Sequence, residues 1–340
     1  MSNERFYNSK EYISHLAAKT TPSMRYEYGT DFPAWRAAAK AKLEELLGLP
    51  LQTCDAQFRI VSQVDCDGYT RTDFEFQSEE DYVVRAAFLR PLDADGKLPC
   101  AICLQGHSSG MHISFGEARF EKDDKVIAGG RDFAVRAVRE GLCAVTLEQR
   151  YMGTAGAQES GAPGCLVGAS IPAFLLGRTA IGERVWDVQR LIDVLIANFD
   201  AYIDFERLIC LGNSGGGTTT FYASCLDERI KVSVPSCCLN SYEDSIMTFW
   251  HCPCNYVPSI RRYFDMGDIG ALIAPRKLVS VSGQKDKSFP IKAATEQYEL
   301  IRGIYDMLGA EENCTMIAGT EGHQFYPDEA WPIIHRYIGK

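Results

Sequence analysis

A serine between glycines at the end of an apolar run is the residue pattern in this chain with the clearest chemical meaning. Residues 208–211 (LICL) read as a short buried strand, Gly212 and Gly216 flank Ser214, and residues 218–226 can continue as a helix. In a G-x-S-x-G turn the chain reverses between strand and helix, so the serine hydroxyl projects above the sheet from a strained backbone. A flexible Gly-Ser linker would not be bracketed by a buried strand and a helix. The pattern therefore predicts that Ser214 is a nucleophile.

A serine hydroxyl is a weak nucleophile unless a base takes its proton, so the rest of a triad must come from elsewhere in the chain. Residues 276–283 read as an apolar strand, and Asp286 follows it directly. Residues 314–318 read as a last strand, and His323 lies in the loop after it. Because the carboxyl ends of parallel strands meet at one edge of a sheet, Ser214, Asp286 and His323 are predicted to converge there.

Each member of this predicted triad also has an ordinary interpretation. A lone Asp after a strand commonly caps a turn, and a lone loop His is commonly solvated or structural. Other acids compete with Asp286, but none directly follows an apolar strand: Asp265, Asp268 and Asp306. The remaining histidines fit the role of the base less well by position, because they lie too early, in a terminal amphipathic helix or away from a strand end: His15, His335, His251 and His112.

Acyl transfer also requires donors where the carbonyl oxygen becomes negative, and rigid backbone N–H groups supply them. One donor is expected from Gly215, at the positive end of the helix that follows the nucleophile. The second should come from residues 105–110 (QGHSSG), the loop after the strand predicted at 99–104. Position favours the N–H of His107, with Ser108 as the alternative. An ordinary glycine-rich turn is the other interpretation of this loop.

On these residues the chain resembles the α/β-hydrolase superfamily, and within it the acetyl xylan esterase and dienelactone hydrolase-related group. The matching segments are residues 105–107 (QGH), 184–193 (RVWDVQRLID), 212–216 (GNSGG), 227–230 (DERI) and 322–323 (GH), with the strand that leads into Asp286. The chain departs from the pattern in two places. It carries Gln105 where many relatives have His, and His107 where deacetylases of the group tend to have Tyr.

The resemblance implies an α/β-hydrolase fold with a mostly parallel central sheet and helices on both faces. The alanine- and leucine-rich segment that opens at Asp31 and ends near Gly48 predicts a helical N-terminal extension. Residues 1–55 are predicted to be that extension, packed on a catalytic domain of residues 56–340. Alternating apolar residues within 58–89 predict leading antiparallel strands before the parallel core. Irregular insertions are expected near 151–177 and 242–268, where long loops commonly shape a binding pocket.

Composition agrees with one large enzyme domain. The chain has 340 residues, of which 46% are hydrophobic, and a formal net charge of -10. The acidic balance argues against nucleic acid as a partner, because polyanion binding needs a basic surface. There is neither an apolar signal core at the start nor an apolar run of about 18 residues, so no membrane association is expected and a cytoplasmic location is predicted. Association into a homo-oligomer is left open.

Thirteen cysteines are scattered along the chain, and several stand inside predicted apolar strands. Such thiols behave as small buried hydrophobic groups. Cys252 and Cys254, beside His251 and preceded by Cys237 and Cys238, form the one cluster that could indicate zinc. Their spacing does not match the paired knuckles of a structural zinc site. No metal and no cofactor is therefore expected.

Together these patterns predict two-step acyl transfer through an acyl-enzyme on Ser214. The expected substrate is a small ester, and a short-acyl ester of a small carbohydrate is the first choice. A peptidase or amidase similar to the prolyl oligopeptidase catalytic domain is the alternative enzyme. A catalytically silent binding module on the same scaffold is the alternative from another class, because fold does not dictate function.

Overall fold

The computed structural model describes residues 5–156 and 167–340, and the strands of these two ranges form one sheet. The strands are β1 (Arg59–Asp65), β2 (Tyr69–Glu79), β3 (Tyr82–Pro91), β4 (Leu98–Leu104), β5 (Cys143–Leu147), β6 (Ile203–Asn213), β7 (Val232–Ser236), β8 (Lys277–Gly283) and β9 (Cys314–Gly319). Their order across the sheet is β1-β2-β3-β5-β4-β6-β7-β8-β9. The pairs β1–β2, β2–β3 and β3–β5 are antiparallel, and every later pair is parallel.

Helices of the described ranges connect and cover these strands. They are α1 (Ser9–Lys19), α2 (Phe32–Leu47), α3 (Asp123–Val126), α4 (Phe133–Arg139), α5 (Val167–Ser170), α6 (Ala180–Phe199), α7 (Gly215–Leu226), α8 (Met266–Gly270), α9 (Ile291–Met307) and α10 (Pro327–Ile338). The strand-then-helix alternation from β4 onward is the connectivity that a parallel sheet requires, because each crossover must return to the same end.

The two faces of the sheet bury two separate apolar cores. Successive strand residues point to opposite faces, and β4 illustrates this well. Cys100 and Ile102 belong to a core shared with α2, α6, α7 and α9, whereas Ala101 and Cys103 belong to a core shared with α4 and α10. Strands buried on both faces need apolar residues at nearly every position, as β4 has. The predicted α/β fold with helices on both faces is thus confirmed.

Helix α2 packs on the first of these cores. Asp31 begins the helix, because its carboxylate accepts the backbone N–H of Ala34 at 3.1 Å, and Gly48 ends it at φ 76°. Leu43 and Leu47 are fully buried in the core that α6 shares. The helical character predicted for this part of the chain is therefore observed, while the domain boundary near residue 55 stays a prediction.

The second predicted insertion, residues 242–268, consists of turns and short helical segments that lead into α8. The first, near 151–177, falls partly outside the described residues, at 157–166. Within the described ranges we find no helix that combines the length and the apolar character needed to cross a bilayer.

Candidate active site

Ser214 occupies a strained turn between a strand and a helix. It follows Asn213, the last residue of β6, and it has φ 56° and ψ -122°, outside the regions that an L-residue normally adopts. The turn is held on both sides, because the Ser214 N–H donates to the Ser236 carbonyl at 2.8 Å and the Ser214 carbonyl accepts the Thr218 N–H at 2.8 Å. These two hydrogen bonds thus maintain the strained backbone conformation of Ser214.

The glycines around Ser214 are required by close backbone approach. A Cβ on Gly216 would lie 2.1 Å from the Leu104 carbonyl oxygen, and one on Gly212 would lie 2.5 Å from the Gly216 carbonyl oxygen. Real Cβ atoms do not approach backbone that closely, so neither position accepts another residue without a backbone shift. The tight crossing of β6 and α7 predicted from the G-x-S-x-G pattern is therefore present.

Asp286 and His323 are in direct contact. Asp286 follows β8 and His323 follows β9, and the Nδ1 of His323 lies 2.7 Å from Oδ2 of Asp286. The other carboxylate oxygen accepts the N–H groups of Ser288 at 2.8 Å and Phe289 at 3.1 Å. The Asp286 side chain is 1% exposed and the His323 side chain 34% exposed. With Nδ1 donating to the carboxylate, Nε2 of a neutral ring is left as the proton acceptor.

The surroundings of Asp286 favour its charged form. Burial by itself raises the pKa of this carboxyl, but the hydrogen bond and charge of His323 and the two backbone N–H donors outweigh burial and hold its pKa below the usual value. Asp286 is consequently a carboxylate at neutral pH. A charged acid in this position can fix the orientation of the imidazole and stabilise it when it becomes protonated.

The end of β7 connects the two halves of this site. The Ser236 carbonyl accepts the N–H of Ser214, and the next residue, Cys237, has its Sγ within 4.8 Å of the ligand atoms of Asp286 and His323. Ser214, Asp286 and His323 accordingly lie at the same edge of the sheet, where the carboxyl ends of β4 and β6 to β9 meet; we call it the carboxyl edge. The catalytic roles of these three residues stay predictions.

The loop after β4 borders the nucleophile turn. A Cβ on Gly106 would lie 2.5 Å from the Asn213 carbonyl oxygen and 3.1 Å from the Cβ of Ser214, and one on Gly215 would lie 2.9 Å from the Cε1 of His107. Gly215 is the first residue of α7, so its N–H has no acceptor within the helix. Residues 105–107 are thus positioned beside the turn. That Gly215 and His107 supply the oxyanion donors is still a prediction.

Gln105 fixes the shape of this loop. Its Nε2 donates to the Arg131 carbonyl at 2.7 Å and to the Oγ of Ser114 at 2.7 Å, and its own carbonyl accepts from the side chain of Gln149. Gln105 is 3% exposed. A buried amide with these partners holds the backbone of the neighbouring residues rigidly, which is what a preorganised donor requires.

Most of the residues weighed against the triad make their contacts elsewhere. Asp265 and Asp268 form the capping box of α8, and burial raises the pKa of Asp268 to about 6. Asp306 is exposed on α9. His112 lies 2.8 Å from the buried Asp123, and His335 lies 3.1 Å from Glu140. None of these contacts involves Ser214, Asp286 or His323.

His251, which the sequence analysis set aside as a base because no strand end precedes it, lies close to Asp286 and His323 in the fold. Its Nε2 is 3.1 Å from the Oγ of Ser245, and its ring packs on Phe289, which in turn stacks on His323 at 5.7 Å between ring centres. Burial and the nearby His323 both lower the pKa of His251. The residue belongs to an irregular insertion, where neither a strand end nor a helical period marks its position.

Cys252 and Cys254, in the same insertion, group with His107 and not with His251, their neighbour in the sequence. Cys254 Sγ lies 3.3 Å from Nε2 of His107, and the donor atoms of these two residues and of Cys252 all lie within 4.8 Å of one another. Cys237, which precedes the insertion, instead has its Sγ within 4.8 Å of the donor atoms of Asp286 and His323. Adjacency in the sequence suggested His251 as the histidine that belongs with Cys252 and Cys254. The fold brings His107 to them instead.

The strand order, the serine turn and the Asp–His pair after the last two strands define an α/β-hydrolase. A family model described as an Abhydrolase family matches residues 1–230, and the chain belongs to that family. A Bacillus subtilis (strain 168) protein assigned as a hydrolase, YtaP, is 28% identical over 157 residues, which cover 44% of this chain and 50% of that protein. The chain thus matches about half the length of this curated relative.

Solved structures of esterases share the fold. A Bacteroides fragilis NCTC 9343 protein assigned as an acetyl xylan esterase has a TM-score of 0.77 at 19% identity, covering 94% of this chain and 84% of that one. A glucuronoyl esterase from Solibacter usitatus has a TM-score of 0.69 at 16% identity over 95% and 99%. An acetyl xylan esterase from Paenibacillus sp. R4 has a TM-score of 0.58 at 17% identity over 96% and 98%.

Proposed function

We propose that this chain is a serine esterase that cleaves carboxylic esters through an acyl-enzyme on Ser214. The observation that carries the proposal is the 2.7 Å contact between His323 and the buried Asp286 at the sheet edge where the strained Ser214 turn lies. Membership of the Abhydrolase family and the shared fold with esterases support it. No other described cluster combines a nucleophile turn with a charged acid and a half-exposed imidazole.

The proposed reaction has two steps. His323 takes the proton of Ser214 as the oxygen attacks the ester carbonyl, and the resulting imidazolium returns that proton to the leaving alcohol. A water molecule then attacks the acyl-serine, again losing its proton to His323, which passes it to the departing serine oxygen. Asp286 orients the ring and stabilises its charged form without taking the proton.

Two backbone donors are proposed to stabilise the tetrahedral oxyanion. The N–H of Gly215 stands at the start of α7, where the orphan N–H groups and the helix dipole favour negative charge. The N–H of His107 comes from the loop held by Gln105. Removing one such donor from a serine hydrolase typically costs about 10²–10³ in kcat.

The substrate is proposed to be a short-chain ester of a small carbohydrate. Several structural relatives are described as acetyl xylan or glucuronoyl esterases, which act on esters of sugars or uronic acids. Aromatic side chains of the 242–268 insertion stand exposed and can stack on a sugar ring: Phe249, Trp250 and Tyr256. The net charge of -10 favours neutral over anionic substrates.

Hydrolysis of p-nitrophenyl acetate and of a substrate panel tests the proposal. Ser214→Ala should abolish turnover with the fold intact by circular dichroism, whereas Ser280→Ala, a buried serine of β8, should retain it. The panel contains acetylated sugars, methyl esters of uronic acids, and peptide anilides. Preference for acetylated sugars supports the proposal, preference for uronate methyl esters changes the substrate class, and preference for anilides favours a peptidase. Unchanged turnover by Ser214→Ala would contradict the mechanism.

A further inference from the structure

We propose that His107, Cys252 and Cys254 form a binding site for a thiophilic divalent metal ion, and that zinc is the ion that fits the donors. One ring nitrogen of His107 and the two sulfur atoms all lie within 4.8 Å of one another. The residues come from two segments more than a hundred positions apart, the loop after β4 and the 242–268 insertion. This assignment does not depend on the chemistry proposed for Ser214.

The spacing of the donor atoms fits tetrahedral coordination. Zinc–sulfur and zinc–imidazole bonds of about 2.3 and 2.0–2.1 Å place sulfur and nitrogen ligands about 3.6 Å apart in a tetrahedron. The Sγ of Cys254 and the Nε2 of His107 are 3.3 Å apart. This separation is close to the one that a shared zinc ion requires.

The charges and the softness of the donors also favour zinc. Two thiolates and a neutral imidazole together carry the charge that balances a divalent cation, and the two thiol protons leave to solvent when the metal binds. Sulfur and imidazole ligands select zinc over magnesium or calcium, which prefer oxygen. The donor set is that of a zinc site, although the C-P-C spacing is shorter than the usual knuckle.

The surroundings hold the cysteines in place and supply a hydrogen bond to sulfur. The side-chain amide of Asn255 donates to the Sγ of Cys254 at 3.8 Å and to the Cys252 carbonyl at 3.4 Å. Its oxygen accepts the hydroxyl of Thr218 on α7 at 3.3 Å. Pro253, between the two cysteines, fixes φ in the short 3-10 turn Pro253–Asn255. Such outer hydrogen bonds orient metal ligands and tune their affinity.

A metal here would join the insertion to the loop beside the nucleophile. The His107 ring faces Cys254 through Nε2, and its Cε1 and Nδ1 atoms lie 2.9 and 3.0 Å from a Cβ placed on Gly215. The ring therefore lies between the proposed metal position and the start of α7. Binding would restrain residues 105–110 through a side chain, separately from the backbone N–H that the esterase mechanism uses.

Metal content and the visible spectrum test this site without reference to activity. The chelator-treated chain is loaded with Zn²⁺ or Co²⁺, and bound metal per chain is measured by mass spectrometry. We expect about one ion per chain and, with Co²⁺, a thiolate charge-transfer band and tetrahedral d–d bands. Cys254→Ser, Cys252→Ser and His107→Gln should each lose the bound ion. Asn255→Ala should weaken affinity about 10–100-fold.

Matched variants separate this site from other thiols and from the triad. Cys66→Ser, which changes a half-buried thiol in the turn between β1 and β2, and Ser214→Ala should both retain the ion. The proposal is overturned if the loaded chain lacks the thiolate–cobalt band, or if binding survives in the ligand variants and is lost in Cys237→Ser and His323→Ala. If Cys254→Ser does not fold, the loss of bound metal in His107→Gln and the weaker metal affinity of Asn255→Ala test the site.

Discussion

Two polar regions of this molecule differ in how their charges are balanced. At the carboxyl edge, the buried Asp286 lies 2.7 Å from the ring of His323, whose side chain is 34% exposed. Between β2 and α6, Arg150 lies 2.8 Å from Asp187 and 2.7 Å from Glu79, with an Arg150 side chain only 6% exposed. Arg178 adds a second cation 2.6 Å from Glu79.

This difference separates a site that can react from a cluster that stabilises the fold. In the cluster of Arg150, Arg178, Glu79 and Asp187, which we call the Arg150 cluster, every charged group faces an opposite charge and is largely shielded from solvent. No group is therefore left to exchange a proton with a substrate. At the carboxyl edge the imidazole is partly exposed to solvent and the acid beside it remains ionised. Buried charge alone therefore does not indicate catalysis; the exposed, proton-accepting partner does.

The largest effect is expected from removing the base. His323→Ala should lower kcat for p-nitrophenyl acetate by roughly 10⁴–10⁶-fold, because Ser214 then has no proton acceptor. The melting temperature should change little. His335→Ala, which removes a helical imidazole paired with Glu140, is the matched control and should keep near-normal turnover. A His323→Ala enzyme that retains most of its activity would remove His323 from the mechanism.

Asp286→Asn should lower kcat by about 10⁴-fold, because the amide favours the wrong imidazole tautomer. Steady-state kinetics beside a thermal unfolding curve would show whether the loss lies in the chemistry. The comparison variant is Asp268→Asn, which disturbs the capping box of α8 and should cost stability rather than turnover. Greater sensitivity of kcat to Asp268→Asn than to Asp286→Asn would show that the acid is misassigned.

Arg150→Met should lower stability more than turnover, the reverse of what is expected for His323→Ala and Asp286→Asn. The substitution removes from the buried Asp187 the guanidinium that lies 2.8 Å away, whereas Glu79 keeps Arg178, and the loss should cost about 3–5 kcal/mol in the free energy of unfolding. Urea unfolding measures that loss, and kcat of the remaining folded enzyme should fall far less than in Asp286→Asn. If the free energy of unfolding were unchanged while kcat fell sharply, Arg150 would serve turnover rather than stability.

The smallest effect is expected from Glu148→Gln. Burial raises the pKa of Glu148 to about 7, despite hydrogen bonds from Thr154 and the Met111 N–H. The folded state therefore binds more protons than the unfolded state between about pH 4.5 and 7, so this group makes stability fall as pH rises through that window.

Unfolding free energies at pH 5 and pH 8 test this. Glu148→Gln should flatten the pH dependence by on the order of 1–3 kcal/mol and should not be less stable than the unmodified chain at pH 8. If the free energy of unfolding changed with pH in the variant as it does in the unmodified chain, ionisation of Glu148 would not be what destabilises the fold as the pH rises.

The positions of the predicted site residues follow from the sequence where regular strands precede them, while their catalytic roles stay predictions. Ser214, Asp286 and His323 each follow an apolar run, and parallel pairing brings those ends to one edge. Strand lengths are less predictable. The run 208–211 marks only the centre of β6, which extends from Ile203 to Asn213 because it pairs with β4 and β7 on its two sides.

Contacts made by irregular loops could not be foreseen. His107 meets Cys254, and His251 meets Phe289, across segments whose relative positions depend on tertiary packing. Neither pair has a period or a fixed spacing in the sequence. Adjacency therefore indicated His251 as the neighbour of the cysteines, whereas the fold places His107 there.

The most direct test of the central claim is covalent labelling of the chain with a fluorophosphonate, followed by intact mass and peptide mapping. We expect one adduct per chain, located on Ser214, and much slower labelling in His323→Ala. An adduct on another serine, or esterase turnover by a chain that takes up no label at Ser214, would contradict it.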